Sequence, residues 1–289
     1  MLSHEGNEVT VAASRLLGQL SLAATDQVQP RSDLSGFSFE GWEATGEWRF
    51  FRQKLVGAKF DGVIARGLEV LGCDASGSSW KGAVLDGARF AGVGNGLIPT
   101  VLDDATFADA SATGISLTHV SARRASFDRI LAPEMVGEHV DGRESTWSEA
   151  ILTGGHFCEG SNAVQGDFSG VMAKGTCWQG SQLNGASFTG AQAPYGDWRE
   201  TNVEGVHAEG ADYTGSVWDG NSSLGKMIVS RETLFDGARL TGSGLTDLQR
   251  RMVSLRDAEF PVIPQGFGKQ RSRRLKGISA DAGGVHGLA

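Results

Sequence analysis

The sequence predicts an all-β fold: a parallel β-solenoid of about ten coils whose backbone turns four corners per coil, with a short helix at each end. Three observations predict it. Glycine recurs at every fifth position through "FDGVIARGLEVLGCDASGSSWKGAVLDGARFAGV", residues 60–93, at Gly62, Gly67, Gly72, Gly77, Gly82, Gly87 and Gly92. An apolar residue, the centre of each five, stands two places before each glycine, and a small or apolar residue stands two places before each centre. Trp178, Trp198 and Trp218 lie twenty apart, as Phe168 and Phe188 do. No helix or ordinary strand repeats every five residues. A chain that bends at every fifth residue closes a square coil after twenty, and the next coil stacks on it by strand-type hydrogen bonds.

The elements follow in order. Residues 1–30 are an N-terminal extension, with an amphipathic helix expected over 8–24 (Val9, Leu16, Leu17 and Leu20 on one face) that either caps the first coil or serves as a delivery or chaperone-binding segment. Its acidic start and Arg15 do not read as a secretory signal. Repeats occupy 31–245. A lead-in has centres at Leu34, Phe39 and Ala44, and a first block runs from Phe50 to Phe90. The stretch "AGVGNGLIPTV", residues 91–101, shifts the frame into a second block from Leu102 to Phe157. A third block is expected from Phe168 to Ile228 without a slip, and Phe235, Leu240 and Leu245 close the series. The three spaced tryptophans should share a column, facing Phe168 and Phe188, with Ala173 and Ala193 between them.

Each corner suits a type II turn, whose second central residue needs positive φ and therefore favours glycine. In the second block those positions hold Asp104, Asp109, Gly114, His119, Arg124, Arg129, Glu134, His139, Glu144 and Glu149. Such side chains disfavour positive φ, so a switch to type I or related turns is expected there. The small or polar centres Gly137, Gly142 and Asn162 predict that this block is the least well packed. Residues 246–260 predict a second helix with Thr246 as N-cap and Asp247 in its first turn. Its Leu248, Met252 and Leu255 either cap the last coil or mediate dimerisation. Residues 261–289 are a basic, then glycine-rich tail expected to be flexible. Its Lys269, Arg271, Arg273, Arg274 and Lys276 lack the aromatic partners of a nucleic-acid site.

Composition sets further bounds. Glycine numbers 42 in 289 residues while proline numbers 6, which excludes a Pro/Gly linker. No apolar run approaches membrane-span length. Cys73, Cys158 and Cys177 form no CxxC pair, and reduced thiols in a cytoplasmic, reducing compartment are expected. The six histidines show no metal-ligand spacing, so neither metal nor cofactor is expected. The net charge of −8 divides into −10 over 31–245 and +4 over 246–289.

"VLDGARFAGV", "QLNGASFTGAQ" and "LFDGARLTGSGL" resemble the pentapeptide-repeat proteins over about residues 34–245. The resemblance implies a right-handed quadrilateral β-helix, roughly 50 Å long at about 4.8 Å per coil. It does not name a function, because that family hosts many. Outward acids and histidines on a cylinder without a cleft imply no enzyme and no small-molecule substrate. His156 and Cys158 flank the centre Phe157 and should point outward. "GARFAGVGNG" lacks the Gly-Lys-Ser/Thr of a phosphate loop.

Two functions are weighed. One is a protein-binding scaffold for an unidentified partner, similar to rods that bacteria deliver into host cells through a specialised secretion system. The other is a DNA mimic that occupies the DNA groove of gyrase, as some members of the family do, with the C-terminal helix forming a homodimer. The residues proposed for partner contact form an acidic cluster: Asp197, Glu200, Glu204, Glu209, Asp212 and Asp219, opposed only by Arg199. Arg199 and Asp219 should be vertical neighbours. The cluster is either an acidic face for a basic partner or an ordinary solvated surface.

Overall fold

The computed structural model describes residues 33–260 except 45, 159, 221, 242 and 243; the expected 8–24 helix and 261–289 tail lie outside the described residues. The chain winds as a four-sided parallel β-helix. Its regular strands are short: β1 (Arg49–Phe51), β2 (Glu69–Leu71), β3 (Arg89–Ala91), β4 (Thr100–Val101), β5 (Ser116–Ser121), β6 (Val136–Asp141), β7 (Val217–Trp218) and β8 (Arg239–Leu240). Elsewhere single parallel bridges do the stacking, such as Ser38–Lys59–Ser79–Thr106–Ser126–Thr146. Four such ladders define sides A (through Phe50), B (Leu55), C (Phe60) and D (Ala65).

The hydrogen bonds of one repeat explain the period. The amide of centre Leu55 donates to Asp74 O of the next coil at 2.6 Å, and Gly57 N donates to Ser76 O at 2.8 Å. Ala58 N closes the corner onto Leu55 O at 3.0 Å, and Lys59 N donates back to Phe37 O at 2.9 Å. Four of every five amides are thus satisfied by backbone. The fifth, just after the centre, donates in many repeats to a carboxylate. Asp61 accepts from Lys81 N, Asp103 from Arg123 N and Asp236 from Arg256 N, all from the coil below. Alternatively an Asp or Asn just before the centre accepts from the amide two residues on, as Asp74 does from Ser76 and Asn202 from Glu204.

The expected type I turns do not form. Asp104, Asp109, Arg124, Arg129, Glu134, Glu144 and Glu149 all hold φ between 55° and 61°, and His119 and His139 hold 53° and 52°. Asp104 N still donates to Arg123 O at 2.9 Å, as Gly57 N does one block earlier. The ladder dictates the left-handed conformation, and side-chain preference yields to it.

The shaft is filled by aromatic columns. Phe39, Phe60, Trp80, Phe107, Phe127, Trp147, Phe168 and Phe188 stack without a break along side C, at centroid spacings from 3.8 to 6.0 Å. Opposite them, Trp178, Trp198 and Trp218 stack on side A at 5.4 and 5.0 Å. The two columns meet edge to face, Trp178 on Phe188 at 5.4 Å and 85°. Ala173 and Ala193 lie buried on side D between them. The middle block is fully packed, contrary to the small centres expected to loosen it. A Cβ on Gly137 would come within 3.2 Å of Phe157 Cδ1, so the Phe157 ring fills that place.

Two frame shifts differ from the expected ones, and the shift at 91–101 falls where it was expected, with Leu102 the next centre. Ala163, not Asn162, takes the inward place after Phe157, because Asn162 bridges Asp141 and Gln182 on the outer ladder. The third block slips before its end: Leu224 and Val229 are buried, while Ile228 is outward and 42% exposed. The 91–101 insertion forms an antiparallel hairpin, Val93 N to Ile98 O at 2.8 Å, standing out between sides A and B. A Cβ on its Gly96 would lie 2.7 Å from His119 Nδ1, so glycine is needed there.

The second helix is shorter than expected. Helix α1 spans Asp247–Met252 with a reciprocal Thr246–Gln249 capping box. Residues 254 and 259 then rejoin the ladder through Leu234–Ser254 and Arg239–Glu259 bridges.

Two stability predictions follow. Gly62→Ala, at φ 65°, should cost about 1 kcal/mol, whereas Glu134→Gly should leave the urea midpoint unchanged or raise it. Trp218 Nε1 donates to Ser216 Oγ at 2.7 Å, while the Trp198 indole N–H has no partner. Trp218→Phe should therefore cost about 1 kcal/mol more than Trp198→Phe in urea unfolding.

Candidate functional site

Functional surface on this rod is made of outward columns, each residue twenty or so places from its vertical neighbour. Side D carries the most distinctive one. The positions just before its centres read Ile64, Val84, Ser111, Leu131, Ile151 and Met172 on six successive coils. Leu131 and Met172 are 42% and 40% exposed, and Tyr195 on the adjoining corner is 61% exposed. Successive coils at about 4.8 Å make this stripe roughly 24 Å long. The equivalent column on side C is Ser38, Lys59, Ser79, Thr106, Ser126 and Thr146. Other exposed apolar residues (Phe51, Val56, Leu97, Ile228, Phe260) are dispersed.

The six acids do not share a face. Asp197 lies on side A, Glu200 and Asp219 at the corner after it, Glu204 at the next corner, Glu209 at the third, and Asp212 on side D. They form a belt around the rod, because consecutive repeats face successive sides. Most are committed. Arg199 turns to Asp197 of its own coil (Nη2 to Oδ2, 2.5 Å). Asp219 accepts from the Glu200 amide at 2.9 Å and, one coil beyond Arg199, acts on that guanidinium as the expected vertical neighbour. Asp212 accepts from Thr214 N at 2.8 Å, Glu204 pairs with Lys226 at 2.9 Å, and Glu209 lies 3.4 Å from His207 Nδ1. Burial raises the Asp197 pKa, but the hydrogen bonds from Arg199 outweigh it and hold the carboxyl below its ordinary value.

A charge pattern does run vertically in the middle block. Asp104, Arg124 and Glu144 occupy left-handed corners of successive coils on one edge, and Asp109, Arg129 and Glu149 do so on the next. Arg124 grips Asp104 with two 2.7 Å bonds, and Arg129 grips Asp109 at 2.7 and 2.9 Å. His119 and His139 stack at 4.7 Å on a third edge. Reading the corner positions at a spacing of twenty, as Asp–Arg–Glu twice over, reveals both columns in the sequence.

At the C-terminal end, Gln249 is buried and its side-chain amide donates to Leu224 O and Met227 O, at 3.3 and 2.8 Å. Met252 and Leu255 are half-buried, with Leu255 packed on the core. Leu248 lies within α1. The helix thus docks onto the last full coil of its own chain.

The cysteines depart from the expected reduced state. Cys158 and Cys177 are joined as a disulfide with a Cα–Cα distance of 6.2 Å, and Cys73 is free and buried. The ladder stacks His156 on Cys177. Cys158, just after centre Phe157, faces Cys177, just before centre Trp178, along the diagonal that also joins Asp103 to Ser121 and Asp236 to Ser254. Cys73 lies in the core, where burial pushes its thiol up to about 11. Among the described residues no helix is long and apolar enough to cross a membrane.

The period of five, the left-handed second corner residue and the twenty-residue coil now stand together. The architecture is that of the pentapeptide-repeat proteins. No protein-family model and no curated protein matches the chain. Solved structures do. A trypsin-treated form of QnrB1, a plasmid-mediated fluoroquinolone resistance protein, is 20% identical over 80% of this chain and 92% of its own, with a TM-score of 0.41. HetL, a pentapeptide repeat protein involved in heterocyst differentiation regulation in the cyanobacterium Nostoc, is 17% identical over 83% and 92%, with a TM-score of 0.32. A pentapeptide repeat protein of the Arabidopsis thaliana thylakoid lumen is 24% identical over 38% and 70%, with a TM-score of 0.28. The fold assignment rests on the repeat and its ladder in this chain.

The paired columns make a pH-dependent contribution. Hydrogen bonds from Arg124 and Arg129 hold the Asp104 and Asp109 carboxyls below their ordinary value. A depressed carboxyl stabilises above the unfolded pKa, near 3.9, and that contribution is lost as pH falls through the folded value. Arg124→Gln with Arg129→Gln should melt below wild type at pH 7, and the gap should close by pH 2 in thermal circular dichroism scans.

Proposed function

We propose that the pentapeptide-repeat rod is a non-catalytic scaffold that binds a protein partner along side D. One observation carries this reading: the outward column Ile64–Val84–Ser111–Leu131–Ile151–Met172 is apolar at five of its six positions, Ser111 being the exception, where the side C column is hydroxyl-bearing or charged. An apolar strip of roughly 24 Å on a rigid sheet suits a partner that lays a complementary apolar edge or amphipathic helix along it. Regular ladders that present long outward columns support a binding surface. A reducing cytoplasm, or a host cell reached through specialised secretion, is the compartment proposed with it.

The DNA-mimic reading needs acids aligned along one side of the rod. Here they circle it, and several are tied to backbone amides or to arginine. Gyrase is therefore the less favoured partner.

The test is a comparison of two surface variants against the captured partner. Leu131→Glu with Met172→Glu should abolish binding, while Glu200→Gln with Glu204→Gln and Glu209→Gln should preserve it. The opposite outcome would sink the side D assignment in favour of the belt. Inhibition of purified gyrase supercoiling by micromolar protein would restore the mimicry reading.

A further inference from the structure

The coil running from Phe157 to Trp178 carries one residue more than the coils on either side of it, and that residue falls between Phe157 and Ala163, next to a diagonal contact of the kind that joins Asp103 to Ser121. On that diagonal lies a chemical cluster. His156 is exposed and Cys158 and Cys177 are half-buried, and one ligand atom from each lies within 4.8 Å of both others. Two backbone bonds fix the frame beneath it, Cys177 N to Gly155 O at 2.9 Å and Phe157 N to Cys177 O at 2.8 Å. Ser161 Oγ donates to Cys158 O at 3.2 Å and Gly137 O at 3.1 Å, which holds the displaced corner.

We propose that His156, Cys158 and Cys177, with their disulfide reduced, bind one Zn2+ and leave its fourth position open to water. Two thiolates and an imidazole form a borderline-soft set, which suits Zn2+ and disfavours Mg2+ and Ca2+. Zinc–sulfur distances of about 2.3 Å and zinc–nitrogen distances of about 2.0–2.1 Å place tetrahedral ligand atoms roughly 3.5–4 Å apart. The three atoms already lie within that neighbourhood, so rotation of the Cys158 and Cys177 side chains suffices. Glu138 lies one coil before Cys158 in the same column, and Asp197 lies one coil beyond Cys177 with Arg199 upon it.

The chemistry balances. A dithiol reductant supplies two electrons and two protons, the Cys158–Cys177 bond breaks to two thiols, and the reductant becomes a disulfide. Zn2+ then displaces the two thiol protons, and neutral His156 donates its ring nitrogen. Disulfide and zinc exclude each other, so the site is open only under reducing conditions. Cys73 takes no part, being buried in the core.

The test uses the full chain, reduced with a phosphine that is then removed without air, and titrated with Zn2+ against a chromophoric chelator. One zinc per chain should bind to the reduced protein and none to the oxidised one. Cys158→Ser and Cys177→Ser should each weaken binding by at least about 100-fold, and His156→Ala by at least about 10-fold. Cys73→Ala should leave it unchanged. Co2+ in place of zinc should give a near-ultraviolet thiolate charge-transfer band that both serine variants lose. Circular dichroism of each variant separates lost ligation from lost folding. Binding to reduced wild type no tighter than to a folded Cys158→Ser variant, or Co2+ binding without the thiolate band, would overturn the proposal.

Discussion

Everything in this structure depends on the corner. At each one the backbone must turn between sides while its second residue still donates to the neighbouring coil, and only φ near +60° meets both demands. Gly57 N to Ser76 O and Asp104 N to Arg123 O are the same bond made by different residues. Glycine reaches that conformation freely, while an L side chain costs about 1–2 kcal/mol there. The ladder on both sides of each corner holds the conformation regardless. Where glycine is absent, the strained positions stack over one another and put their side chains to use. Asp104 and Asp109 meet Arg124 and Arg129 at bidentate distance, and His119 lies flat on His139.

The amide that the ladder leaves over accounts for much of the acidic composition. It lies just after each centre, and in many repeats it donates a hydrogen bond to a carboxylate of the coil above or of the same repeat. Asp61, Asp103 and Asp236 do the first, and Asp74, Asp197 and Asp212 do the second. Hydrogen bonds to an ionised acceptor are stronger than neutral ones. Negative charge on the repeats is therefore partly a feature of the fold, and it is weak evidence for a basic partner.

The inward half of the fold was legible from residue spacing. Trp178, Trp198 and Trp218 stack as twenty-residue spacing demands, and glycine marks the corners of the first and third blocks. The left-handed Asp, Arg, Glu and His corners were not legible, because local preference opposes what long-range hydrogen bonds impose. Slips near Asn162 and Ile228 were hidden because an apolar residue, Ala163 or Val229, stands beside each. The acids looked like a face because they are close in sequence, yet one coil of sequence visits all four sides. Cys158 and Cys177 fall on different columns, and the diagonal from the residue after one centre to the residue before the next coil's centre brings them together, a relation that spacing within one repeat does not disclose.

Coils of a solenoid touch only their neighbours, so core and surface answer to different constraints. The buried columns must keep the shaft at constant volume, which is why Phe157 fills the space that Gly137 leaves. The outward columns carry no such obligation. Hydroxyls, with Lys59, on side C and apolar side chains, interrupted by Ser111, on side D ride on the same ladder geometry. A run of apolar residues held outward on successive coils gains nothing from the fold that serine would not also supply. Its exposure to water has a cost that a covering partner removes. Function in such a rod is therefore sought where an outward column departs from what the coil requires, and side D departs over the longest stretch.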